Sequence, residues 1–295
     1  MKRSKWRDKN FYWELLMCSS IFGMLIFVYV EHMVNSHWLR NVDYPFSPVI
    51  FQGQFLSFFT FQSNGLVAAY FLIRVIFYDN QIRFCKNKTL LLYVTSYITV
   101  TFITYVTVLF PATLANKYET RIIDWIYSLF LHIITPISTI TYMFLNIDFS
   151  QITVKKYFKN YFLGYLVYPW FYTIYLIFRI FIFLSDDRFS SIPFEIVYPY
   201  APVSSKSFDF GNSSAEDMIG NILYTFFSIF LLFIVVHTLF IIVNISYLFI
   251  IRKMERNYEK KHNLSNVENK KNKKTIIIKL KNGEEKTFDS DNTIE

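Results

Sequence analysis

The sequence predicts an all-α membrane protein, a six-transmembrane-helix bundle with both termini in the cytoplasm and a short polar C-terminal tail. Six apolar runs along the 295 residues are each long enough, at roughly 20 residues, to cross a bilayer. Only 18% of the residues are charged while 53% are hydrophobic and 21% aromatic, where a soluble domain carries about 25% charged residues. The basic residues gather between the runs rather than over a globular surface. The formal charge of +8 therefore speaks for a membrane topology and against nucleic acid as a partner. The organisation that follows is a basic cytoplasmic start over 1–10, a membrane domain over 11–251 and a lysine-rich cytoplasmic tail over 252–295.

The start carries Lys2, Arg3, Lys5, Arg7 and Lys9 against Asp8. The apolar run behind it, Phe11 to about Val30, is too long for a cleavable signal and is followed by Glu31-His32-Met33, no small-residue cleavage site. It reads as the first membrane helix. Residues 31–54 read as a connecting loop in which Pro45 and Pro48 oppose helix. The second helix runs from about Phe55 to Ile73. The third covers about Thr89 to Phe110, with Pro111 ending it. Its threonines, Thr95, Thr99, Thr101, Thr104 and Thr107, bond their own carbonyls or neighbouring helices. The fourth spans about Ile122 to Leu145 and the fifth about Tyr161 to Leu184, containing Pro169 and Arg179. A long, partly acidic loop over 185–218 precedes the sixth helix, about Ile219 to Ile251, which exceeds what a bilayer needs. In the tail, Asn282-Gly283 between two β-prone stretches is a type I′ hairpin signal, although a lone hairpin is marginal in water and the tail is expected to be partly disordered. Cys18 and Cys85 suggest neither a disulfide nor a metal site.

The start, the 74–88 and 146–160 loops and the tail are strongly basic; segments 31–54, 111–121 and 185–218 are not. These sets alternate across six helices, so the positive-inside rule places both termini in the cytoplasm. Thr60 then lies fourteen residues before Arg74, and His132 fourteen before Asn146. At about 1.5 Å per residue both sit roughly 21 Å from the inner ends of their helices. His237, fifteen residues before Arg252, falls near that depth, and Arg179 lies nearer the outer face.

Polar groups in hydrocarbon need partners inside the protein. On a helix Thr60, Ser63 and Asn64 share one face at i, i+3 and i+4, and that face must look into the bundle. A threonine hydroxyl attacks an acyl carbon only when a base takes its proton, a task suited to histidine. Asn64, Ser63 or Arg179 can then serve an oxyanion. Plainer readings stand beside this one. An intramembrane Thr commonly bonds its i−4 carbonyl, His237 suits helix packing, and Arg179 suits snorkelling to the interface.

Four segments carry a resemblance. Phe58-Phe59-Thr60-Phe61-Gln62-Ser63-Asn64, Leu131-His132-Ile133-Ile134-Thr135-Pro136, Tyr168-Pro169 with Tyr172 and Arg179, and Tyr198-Pro199-Tyr200 resemble, in this order, the motifs of a bacterial family of six-helix integral membrane proteins. That family is similar to the androgen-induced-gene-type transmembrane hydrolases, which cleave fatty acid esters of hydroxy fatty acids. The resemblance covers about residues 10 to 250. It departs at Ile180, where the family has Gly, and at the residue after Tyr200, where a Phe is customary. By motif it implies Thr60 and His132 as the catalytic pair.

The expectation is a membrane hydrolase of lipid esters: Thr60 as nucleophile, His132 as general base, with Asn64, Ser63, Arg179 and His237 as supporting polar groups. No metal or organic cofactor is implied. The partners are membrane lipids and a lipid-ester substrate, the oligomeric state is left open, and the location is the plasma membrane of a bacterium. The aromatic loop 185–218, with Phe194, Tyr198 and Tyr200, suits an interfacial lid. The competing class is a non-enzymatic membrane protein, a small-solute transporter or a scaffold. A scaffold would tolerate loss of Thr60 and His132, and the paired, broken half-helices of a transporter are not visible in the sequence.

Overall fold

A computed structural model describes residues 8–39, 44–79, 87–116, 121–146, 154–184, 192, 196, 230, 233–257 and 260, and the backbone of 276–279 and 285–288. Six helices are long and apolar enough to cross a membrane, so the chain is an all-α, multi-pass membrane protein. Contacts divide it into two units, residues 1–148 with 152–247 and residues 149–151 with 248–295.

In the first unit, helix α1 (Lys9–Asn35) is capped by Asp8, whose carboxylate accepts from Asn10 N at 2.9 Å. It ends at Ser36, the described non-glycine residue with left-handed backbone (φ 55°). The helix continues through Glu31 and His32, which the hydropathy pattern had assigned to a loop, because both find partners at the start of the fourth span. Arg121 donates to Glu31 and Asp124 at 2.6 Å each, and His32 Nε2 stands 3.2 Å from the Tyr127 hydroxyl. The hydrogen bonds to Asp124 and Glu31 hold the Arg121 proton more tightly than usual, against the opposing effect of burial.

Helix α2 (Pro48–Ser57) occupies part of the expected 31–54 loop. Pro48 stands in its first turn, where its missing N–H costs nothing, so here the proline starts a helix instead of preventing one. Phe58 breaks the chain (φ −77°, ψ 121°) before helix α3 (Phe59–Ile76), which is the second span, so the helix expected from about Phe55 is interrupted near its start. A break leaves the last carbonyls of α2 without intrahelical donors. Side chains supply them: Ser57 Oγ to Gln54 O at 2.6 Å, Gln62 Nε2 to Leu56 O at 2.6 Å and Tyr172 hydroxyl to Ser57 O at 2.8 Å.

Helix α4 (Lys88–Ala115) is capped by Asn87, which accepts from Thr89 N and Leu90 N. It runs through Pro111 rather than ending there. Helix α5 (Ile122–Asn146) carries Pro136 in the same manner. A proline in a regular helix clashes with the carbonyl four residues back. Each of these is preceded by a π turn, Tyr105–Leu109 and Phe130–Ile134, closed by Phe110 N to Tyr105 O and Thr135 N to Phe130 O. The wider turn takes up the clash, and both prolines stand two residues beyond one.

A short helix α6 (Val154–Asn160) leads to α7 (Phe162–Leu184). Pro169 removes the donor for the Tyr165 carbonyl, and the Tyr97 hydroxyl of α4 replaces it at 2.5 Å. Helix α8 (Phe233–Asn257) is the sixth span. Asn244 joins it to the others, donating to Ser96 Oγ at 3.0 Å and accepting from Tyr157 at 2.5 Å; burial pushes the Tyr157 hydroxyl above its ordinary pKa. Thr99 uses both expected modes, bonding its own Thr95 carbonyl and the Tyr247 hydroxyl, each at 2.7 Å. At the basic ends of α1, α3 and α5, buried Glu14 pairs with Arg74 at 2.7 Å and accepts from the Tyr142 hydroxyl. Helix α1 packs along α3, α3 along α4, and α4 along the later part of α5.

The second unit holds the last turns of α8, with an Arg252–Glu255 pair at 2.9 Å, and an antiparallel hairpin. Strands β1 (Ile276–Lys279) and β2 (Glu285–Phe288) pair in the register Ile276 with Phe288 to Lys279 with Glu285. The Asn282-Gly283 turn, the expected disorder of the tail, the basic start over 1–7, Cys85 and residues 219–229 of the expected sixth helix lie outside the described residues.

Candidate active site

The break at Phe58 sets Thr60 in the first turn of α3, and the π turn Phe130–Ile134 carries His132 on α5. Their side chains meet: Thr60 Oγ1 lies 2.9 Å from His132 Nε2. The other ring nitrogen, Nδ1, lies 2.8 Å from the Ser128 carbonyl, one helical turn back. A carbonyl only accepts, so Nδ1 carries the proton and, in the neutral ring, Nε2 offers its lone pair to the Thr60 hydroxyl. Tyr105, from the other π turn, lies flat against the imidazole with ring centroids 4.2 Å apart.

Thr60 is nearly buried, and Ser63, Asn64, Ser128 and Leu131 are fully buried. Phe61, Leu131, Val28 and Tyr127 form an apolar cluster on this side of the bundle, with Phe58 and Phe130 against it. Ion pairs and hydrogen bonds are stronger in such surroundings than in water.

The predicted supporting residues take different places. Asn64 donates one N–H to the Thr60 carbonyl at 2.8 Å and the other to the Leu131 carbonyl at 3.1 Å. It therefore ties the helix of the nucleophile to the helix of the base, and it has no N–H left for an oxyanion. Ser63 Oγ donates to Thr60 O at 3.1 Å and lies 2.7 Å from Thr101 Oγ1, in a bond for which either hydroxyl can be the donor. Arg179 is buried and does not snorkel. It donates to the Ile196 carbonyl at 3.1 Å, lies 4.8 Å from the Phe183 ring and passes so close to Gly53 that a Cβ there would meet Nη1 at 2.1 Å. His237 bonds the Phe233 carbonyl at 2.9 Å and packs on the Phe233 and Trp170 rings, with no hydrogen bond to Thr60 or His132. Residues 197–218 of the expected lid, with Tyr198 and Tyr200, and Phe194 lie outside the described residues.

No protein-family profile, curated protein or solved structure matches this chain.

Among the described residues, the backbone amides of Thr60 and Phe61, in the first turn of α3, have no acceptor within their own helix and lie at its positive end. Among the described residues no group of three His, Cys, Asp or Glu is placed to hold a metal ion.

Sequence reasoning missed Tyr105 and Ser128. Tyr168, Tyr172 and Tyr175 share one face of α7 with Arg179. Their hydroxyls donate to Gln62 Oε1 at 3.1 Å, Ser57 O at 2.8 Å and Gly53 O at 3.3 Å. The spacing 168, 172, 175, 179 was a helical stripe visible in the sequence; its use, bracing the α2–α3 break, was not.

Proposed function

We propose that this chain is a membrane hydrolase of lipid esters, with Thr60 as nucleophile and His132 as general base. The observation that carries the reading is the 2.9 Å contact between Thr60 Oγ1 and His132 Nε2, with Nδ1 occupied by the Ser128 carbonyl. Nucleophilic catalysis asks for this order of contacts: hydroxyl, base, and a third group that orients the base.

Thr60 Oγ1 bonds to the ester carbonyl carbon while its proton passes to His132 Nε2, and the carbonyl electron pair moves onto oxygen. The backbone amides of Thr60 and Phe61 receive that oxyanion. Collapse breaks the bond to the alkoxy oxygen, which takes the proton back from Nε2 and leaves as an alcohol. Water then repeats the cycle on the acyl-threonine, releasing the fatty acid.

An apolar bundle with nearly buried Thr60 suits a substrate that arrives through the bilayer, an amphipathic ester of a fatty acid. The alternating basic loops support cytoplasmic termini and a site in the outer half of the membrane, in the plasma membrane of a bacterium. The motif resemblance points to the same chemistry.

The test is labelling of the detergent-purified protein with a fluorescent fluorophosphonate. Wild type is expected to label, and Thr60→Ala and His132→Ala variants of equal thermal stability are not. Wild type that stays unlabelled by probes of increasing chain length would refute the reading. Labelling that survives Thr60→Ala would refute the nucleophile.

A further inference from the structure

Tyr105 opens the π turn Tyr105–Leu109 of α4. Its ring is 2% exposed and lies nearly parallel to the imidazole of His132, with planes 15° apart and centroids 4.2 Å apart. Its hydroxyl oxygen accepts from Ser128 Oγ at 3.3 Å. Ser128 in turn meets His132 Nδ1 twice, through its carbonyl at 2.8 Å and its hydroxyl at 3.5 Å. One residue thus bears on both the plane of the imidazole and the group that sets its tautomer.

In a triad the third member is a carboxylate, which orients the histidine and stabilises the imidazolium formed when the nucleophile loses its proton. Among the described residues no carboxylate is hydrogen-bonded to His132; the orienting group is a neutral carbonyl. A carbonyl can orient the ring but brings no charge. The electron-rich face of a tyrosine attracts a cation placed over it, and the face of Tyr105 is where the imidazolium charge would appear.

We infer that Tyr105 is a positioning residue for His132: with Ser128 it stands in for the missing carboxylate, holding the ring plane and stabilising the charged ring. This rests on the reading of Thr60 and His132 as an acyl-transfer pair. The π turn is part of the device, since it lets α4 carry Tyr105 to the imidazole while passing Pro111.

The experiment compares Tyr105→Phe, Tyr105→Leu and Tyr105→Met with wild type in two measurements. The first is the fluorophosphonate inactivation rate, split into its maximal rate constant and the probe concentration at half-maximum. The second is the two-bond proton–nitrogen spectrum of protein labelled at its five histidines, with His132 assigned by loss of its signals in His132→Gln. Phe keeps the flat ring and should retain the wild-type rate constant to within about threefold, because the stack survives. Leu and Met should lower it roughly tenfold at an unchanged half-maximum, and should move the His132 carbon-bound protons out of the ring-current field of Tyr105. Leu and Met both leave out the flat ring and differ in shape, so the comparison does not hang on one variant folding. Leu and Met variants with a wild-type rate constant and an unshifted His132 spectrum would overturn the inference, as would a loss confined to the half-maximum. Unlabelled wild type would count against the hydrolase reading alone, and the spectra would then decide the Tyr105–His132 pairing by themselves.

Discussion

Asn64→Leu removes two hydrogen bonds from a fully buried site while keeping the volume filled. Asn64 gives one N–H to the Thr60 carbonyl and one to the Leu131 carbonyl, at 2.8 and 3.1 Å. Ser63 still reaches the Thr60 carbonyl, so the larger loss falls on Leu131. Its carbonyl lies within the π turn, where the i−4 register is interrupted. Two neutral hydrogen bonds contribute about 1 kcal/mol each, and within membranes the mean is nearer 0.6 kcal/mol with an upper value of about 1.7. The expected destabilisation is therefore about 1–3 kcal/mol. Unfolding of the micelle-embedded protein by sodium dodecyl sulfate, followed by circular dichroism, measures it. The companion reading is fluorophosphonate labelling at a temperature where both proteins are folded. Because Asn64 joins the two helices that carry the pair, labelling should fall by more than the unfolded fraction explains. A variant as stable as wild type and labelled at the wild-type rate would refute the claim that Asn64 sets the Thr60–His132 contact.

Pro136→Ala restores the N–H whose absence the π turn Phe130–Ile134 accommodates. The helix can then close its ordinary i−4 bonds, each residue turning the ring by about 100° relative to its neighbour. Labelling is expected to fall at least about tenfold with the thermal midpoint unchanged or raised; unchanged labelling would show that the π turn does not aim His132. At the other end of the bundle, Glu14→Gln takes the carboxylate from the partly buried Arg74 and should cost about 1–3 kcal/mol in the same unfolding assay. Glu14→Leu combined with Arg74→Met should recover most of that stability, because burying the pair itself costs desolvation; a double variant no better than Glu14→Gln would contradict this account.

Much of the fold was legible because a membrane imposes few solutions. Apolar runs such as Phe162–Leu184 and Ile122–Asn146 must satisfy every backbone group internally, so they are helices. Interruptions were read less well. By type Pro48 and Pro111 are helix breakers, yet one starts α2 and the other follows a π turn, since a proline forbids only one hydrogen bond and its neighbours can rearrange around it. Glu31 and His32 were assigned to a loop by polarity, although partners on α5 let them stay helical. In the site, Thr60, Ser63 and Asn64 were grouped by helical spacing, and two hydrogen bonds do converge there on the Thr60 carbonyl, while a third runs from Asn64 to the Leu131 carbonyl of α5. Tyr105 carried no mark of its role, because nothing in a row of Thr, Tyr, Val and Thr says which side chain will face a histidine on another helix.

By itself the sequence determined the membrane class, the six spans and the residues able to do chemistry, because hydropathy, charge and side-chain type are properties of single residues and short windows. Only the tertiary structure decided which of those residues meet. The 2.9 Å contact of Thr60 with His132 joins positions 72 residues apart, and it depends on a helix break at Phe58, a π turn before Pro136 and the two hydrogen bonds of Asn64. Each of these is a choice among helical registers that differ by about 100° per residue, and packing between helices, rather than any local preference, selects the one that is kept.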